Sequence, residues 1–160
     1  MTPGPVARAA AAALLALFAA AACTAPTGPS PEEVSAWMAD QDDAAPPPGL
    51  LGSATGRVDP GAPAPTGPAQ ISLDFETATR LDGVRLSCQG EGSLDFDVSV
   101  TTEAAGRTWT EVVAFPDVPC GPDARDEALD ATGVVGVGVT GHGADRAGAW
   151  HALVLGTTGA

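Results

Sequence analysis

The stretch VRLSCQGEGSLDFDVSV, Val84–Val100, decides how the chain is read. Val84, Leu86 and Cys88 alternate with polar residues. After Gly90-Glu91-Gly92, Leu94, Phe96, Val98 and Val100 alternate with Asp95, Asp97 and Ser99. A period of two puts each apolar set on one face of an extended strand, so the stretch predicts a half-buried β-hairpin closed by a glycine-bracketed turn.

Working outward, Ile71, Leu73 and Phe75 alternate with Ser72, Asp74 and Glu76, and Leu81-Asp82-Gly83 reads as a turn into the hairpin. A further strand is expected over Thr108–Phe115, ended by Pro116-Asp117-Val118-Pro119. Val134–Thr140 and Trp150–Leu155 complete the set, with a short edge strand or a helical turn around Ala128 and Leu129. No helix in this region is long enough for a parallel crossover. Residues 70–160 are therefore expected to form an all-β domain, a small antiparallel β-sandwich of six or seven strands.

Residues 1–22 carry one charge, Arg8, followed by the apolar run Ala9–Ala22 of 14 residues, ending at Cys23. The run is shorter than the roughly 20 residues needed to span hydrocarbon, and reads as an export signal. Ala20-Ala21-Ala22-Cys23 resembles the bacterial lipobox, whose cysteine becomes the acylated first residue, although Ala20 stands where that motif usually has leucine. Ordinary signal-peptidase cleavage after the small residues is the alternative. Parity favours acylation: with three cysteines in the chain, a Cys88–Cys120 disulfide in an oxidising compartment leaves Cys23 over.

Residues 23–69 are expected to be an acidic, disordered Pro/Ala/Gly-rich linker, with ten prolines between Thr24 and Ala69. As a flexible coil it would hold the domain roughly 40 Å from its anchor. One island breaks it. Ser30-Pro31-Glu32-Glu33 carries the signature of a capping box with proline at N1, and Val34, Trp37 and Met38 follow at helical spacing, so a short helix is expected at 31–41. It would lean on the β-domain or present Trp37 to another protein.

Removing the leader leaves 6 arginines against 20 acids, a net charge of −14. Nucleic acid and anionic headgroups are poor partners for such a chain, because both are bound through cationic side chains. Chemistry is thin. His142, Asp145 and His151 belong to no nucleophile motif, and no catalytic residue or cofactor is expected. Four acids in eight positions, Asp123, Asp126, Glu127 and Asp130, are the best cation candidates, with Arg125 against them; no metal site is assigned. Trp109 and Trp150 are the candidate ligand-binding residues, since β-sandwiches can present aromatic rings to sugars. The side that Trp109 takes depends on whether Val112 and Ala114, or Val113 and Phe115, face inward.

A strand ending in Cys88-x-Gly90-x-Gly92, a second alternating strand, the later Cys120 and a closing strand with Trp150 together resemble the C-terminal domains of small actinobacterial lipoproteins of uncharacterised role. The resemblance implies place and fold, and no activity. The expectation is a lipoprotein anchored to the cell membrane through acylated Cys23 and facing the extracytoplasmic side, its β-sandwich acting as a binding module for an envelope protein or glycan. The alternatives are a structural or accessory envelope protein and, further off, a cell-wall hydrolase.

Overall fold

The computed structural model of the chain describes residues 28–159, so the leader and Cys23 lie outside the described residues. Helix α1 (Pro31–Asp43) precedes six strands: β1 (Leu50–Val58), β2 (Ile71–Cys88), β3 (Ser93–Ala104), β4 (Arg107–Pro119), β5 (Arg125–His142) and β6 (Gly148–Thr158). They form one antiparallel sheet in the order β1-β6-β2-β5-β3-β4. It does not close into a barrel, so β1 and β4 are edges.

The sheet folds over on itself because β2 and β5 each serve two layers. The second half of β2, Thr79–Cys88, pairs with β6 and with the first half of β5, whereas Ile71–Asp74 pairs with the second half of β5. That second half of β5 pairs with β3 on its other side. The corner lies where the β2–β5 register shifts between Asp74 and Thr79, opposite Gly133, whose φ of 70° suits glycine. Strands that change sheet at bends in this way build a sandwich. The inner faces meet in one core, with Leu81, Val84, Leu86 and Trp150 from one layer against Phe96, Val98, Val137 and Val139 from the other.

The facing expected for Val84–Cys88 and Leu94–Val100 is observed, since every apolar residue of both sets is buried. The hairpin is not. β2 and β3 are not neighbours in the sheet, because β5 and β6 already occupy both edges of β2 there, and Gln89–Gly92 instead arches from one layer to the other. The arch is held by Gln89 N–H donating to Ala149 O at 2.9 Å and Cys120 N–H donating to Gly92 O at 2.9 Å. Gly90 and Gly92 have φ of 97° and 100°, which side chains rarely tolerate.

Three further expectations change. The turn at Leu81-Asp82-Gly83 is a bulge inside the unbroken strand β2, where a side chain at residue 83 would come within 2.5 Å of Glu127 O. The acidic stretch after Gly121 joins the 18-residue strand β5 from Arg125; as far as Thr132 it pairs with β2 alone and is an edge of its layer, and only from Val134 does β3 make the strand central. β4 continues through Pro116 to Pro119, which an edge strand allows because its outer N–H groups have no ladder to join.

The expected linker is the largest correction. Within residues 23–69, α1 is built as the capping box predicts: Ser30 N–H donates to the Glu33 carboxylate at 2.7 Å and Glu33 N–H to Ser30 Oγ at 3.2 Å. Val34 is buried, Gln89 Nε2 donates to Glu33 O at 3.0 Å and Arg57 Nη2 to Ser35 Oγ at 3.0 Å. The helix thus leans on the domain, with Trp37 half-buried. The stretch Leu50–Val58, LLGSATGRV, is strand β1, pairing along β6 from Leu155 to Gly148. Its glycines hide the alternation, yet the packing requires them: a Cβ at Gly56 would lie 2.5 Å from the Trp150 ring and one at Gly52 would lie 3.0 Å from Leu73. The structured unit therefore includes α1 and β1 and does not begin at residue 70.

The β3–β4 turn places Ala105 at φ 52° and Gly106 at φ 73°, two consecutive left-handed residues that match the twist of the flanking strands. Asparagine tolerates the first position better than alanine. Ala105→Asn is expected to raise stability by about 0.5–1 kcal/mol, readable as a higher urea midpoint at unchanged slope.

Candidate functional site

Cys88 and Cys120 form a disulfide with Cα atoms 4.7 Å apart, joining the end of β2 in one layer to the residue after β4 in the other. Beside it a hollow of about 770 Å³ is lined by Gly28, Ser93, Arg146 and the arch. Its charges are already engaged: Glu33 caps α1, and Arg146 faces Glu91 at 3.6 Å.

The better candidate lies at the far end of β3. Inner-face residues of β4 run from buried Phe115 through half-buried Val113 to exposed Glu111 and Trp109. Both alternatives for this strand thus have part of the answer. Trp109 does face inward, but the β3–β4 hairpin runs past the opposite layer and Trp109 stays 53 % exposed. With Val100, Thr102, Val113, Leu129 and Ala131 it lines a cleft of about 220 Å³ between the layers. The floor is apolar. Thr102 Oγ1 is buried and has no hydrogen-bond partner among the described residues, and the Glu111 side chain stands exposed beside Trp109. Asp130 forms the lip, its carboxylate held 2.8 Å from Arg80.

Trp150 is a different case. It is fully buried, edge-on to Phe96 with ring centroids 5.8 Å apart, so it is core and offers no surface to a ligand.

Three of the four acidic cation candidates are likewise reassigned. Asp126 accepts from Arg85 Nε at 2.6 Å and Nη2 at 3.1 Å, Glu127 is paired with Arg125, and Asp130 with Arg80. Arg85 holds the Asp126 carboxyl below its usual range through these hydrogen bonds. Strand geometry explains the pairing, since Arg85 and Asp126 are directly opposite on β2 and β5.

His142, Asp145 and His151 do not converge. His142 Nε2 lies 3.2 Å from Asp97, Asp145 accepts from Ser93 N–H at 3.2 Å, and His151 is on the outer face of β6 beside a hollow that Gln41 and Asp42 of α1 also line. Burial pushes the His151 pKa below the ordinary 6.5, with Asp42 opposing more weakly. Since the folded state resists the proton that the unfolded chain accepts, the contribution is present above about pH 6.5 and is lost as pH falls from there. The expected result is a stability that declines as pH falls below about 6.5, and a flatter decline in His151→Gln, measured by urea midpoints on either side of that pH.

Sequence reasoning named Trp109 and missed Thr102 and the apolar floor. Val100 and Thr102 lie on the inner face of β3, but only the crossing of the two layers shows that Leu129 and Ala131 complete the cleft. The chain matches no protein-family model, no curated protein and no solved structure.

Proposed function

We propose that this chain is an exported lipoprotein of the bacterial envelope, anchored by acylated Cys23, whose β-sandwich binds a ligand in the Trp109 cleft. The observation that carries the binding reading is Trp109, exposed above an apolar floor beside the Glu111 carboxylate and the unpartnered Thr102 hydroxyl. A flat ring suits the apolar face of a sugar, and the oxygens suit its hydroxyl or amide hydrogens, so a neutral or amino-bearing envelope glycan fits best. Five peptide steps separate Cys23 from Gly28, at most about 18 Å of chain. Gly28 lies beside Ala147 at the disulfide end of the sandwich, and from Ser93 at that end to Thr102 at the cleft β3 extends about 30 Å. Stand-off from the membrane thus comes from the length of the domain more than from a spacer.

Two measurements test the reading. Intact mass of the membrane-extracted protein should equal the chain from Cys23 onward plus its acyl groups; an unprocessed chain overturns the anchor. Titration with solubilised cell-wall glycan fragments should shift Trp fluorescence in wild type and leave Trp109→Ala unchanged. An equal response in both, or none in wild type, overturns the cleft.

A further inference from the structure

Strand β4 borders only β3, so its other edge is open. Protection of that edge is confined to one end, where Pro116, Pro119 and the left-handed Asp117 (φ 53°) interrupt it. Arg107–Phe115 carries no proline and no bulge, every residue from Arg107 to Val112 is exposed, and Val112 is 60 % exposed. Such an edge is a template for another strand.

Its sequence specifies which strand. Arg107-Thr108-Trp109-Thr110-Glu111 is self-complementary when two copies run antiparallel about Trp109: Arg107 falls opposite Glu111 twice, Thr108 opposite Thr110 twice, and Trp109 opposite itself. These are the only charges on Arg107–Phe115, so no other antiparallel register places opposite charges face to face. Arg107 is also unspent: Arg80, Arg85, Arg125 and Arg146 each face a carboxylate within the chain, whereas Arg107 has none among the described residues. In so acidic a chain, an arginine and a glutamate left open on one bare edge at matching spacing are the recognition elements of a two-fold interface.

We propose that β4 pairs with β4 of a second copy of this chain about a two-fold axis at Trp109, making one continuous twelve-stranded sheet. Residues directly opposite in an antiparallel pair project on the same face. The two Trp109 rings therefore lie side by side and the two clefts open next to each other. The contact is short, and confinement of both copies to one surface would raise their effective concentration. The pairing itself does not depend on the anchor or on the ligand.

The test uses the full chain in detergent, with mass by light scattering. Arg107→Glu puts Glu opposite Glu at both ends of the pair, and Glu111→Arg puts Arg opposite Arg; each should weaken dimerisation at least tenfold. Mixed one to one they should restore it, because a strand with two acids then meets a strand with two arginines. Mild oxidation should link Trp109→Cys to itself above the wild-type background, whereas Val112→Cys, about 20 Å from its mate in this register, should not link. A wild-type monomer at 200-fold the concentration used for cross-linking, a mixture no tighter than either variant alone, or equal cross-linking at residues 109 and 112 would overturn the proposal.

Discussion

Trp150→Ala is expected to destabilise the protein by about 3–5 kcal/mol, a large share of the 5–15 kcal/mol typical of a domain. The indole occupies a slot that the chain shapes on three sides. On its own sheet Trp150 is flanked by Gly56 of β1 and Cys88 of β2, directly opposite in register. From the other layer Gly141 approaches so closely that a Cβ there would lie 2.6 Å from the ring, and Phe96 meets the ring edge-on. Neither glycine can follow the ring into the void, so the cavity left by alanine would stay open. Trp150→Phe should cost much less, about 2 kcal/mol or under, because Nε1–H has no partner among the described residues and its loss removes an unsatisfied buried donor. Conversely, Gly141→Ala should cost about 1–3 kcal/mol by overpacking the same slot. Urea unfolding reads all three, and a Trp150→Ala loss below about 1 kcal/mol would mean that the layers do not close on this ring.

Breaking the disulfide should cost nearly as much. Cys88 and Cys120 close a loop of 32 residues, for which chain entropy gives about 3.5 kcal/mol. That loop contains all of β3 and β4, and the bond ties them back to the layer that holds β6. The Cys88→Ala/Cys120→Ala protein should melt roughly 10 °C lower than wild type, and reductant should lower wild type similarly while leaving the double variant unmoved. A shift under 2 °C would show that the staple adds little. Since Cys88 is opposite Trp150, the double variant combined with Trp150→Ala should lose less than the two separate losses together.

Residues 71–100 show how far reading the chain could go. Alternation named the inward residues of β2 and β3 because side-chain direction in a strand is a local property of the backbone. Partner choice is not local. The glycine turn after Cys88 suits a hairpin, yet hydrogen bonds from β5 and β6 take both edges of β2 first. The same limit hid β1: Gly52 and Gly56 look like linker until Leu73 and Trp150 are seen against them. At the cleft, Trp109 was legible as an aromatic on an alternating strand, whereas its exposure follows from where the opposite layer stops.

By itself, then, the order of residues determined the inward faces of β2 and β3, the capped start of α1, the glycine-bracketed turn after Cys88 and the two cysteines available for a bridge, since each depends on neighbours a few bonds away. Tertiary structure alone decided which strands pair, that β2 and β5 bend through two layers, that an apparent spacer supplies an edge strand, and that Trp150 is enclosed while Trp109 is left open. The reason is physical: open strand edges and unfilled volume belong to the assembled chain, and a residue's fate there depends on what arrives from dozens of positions away.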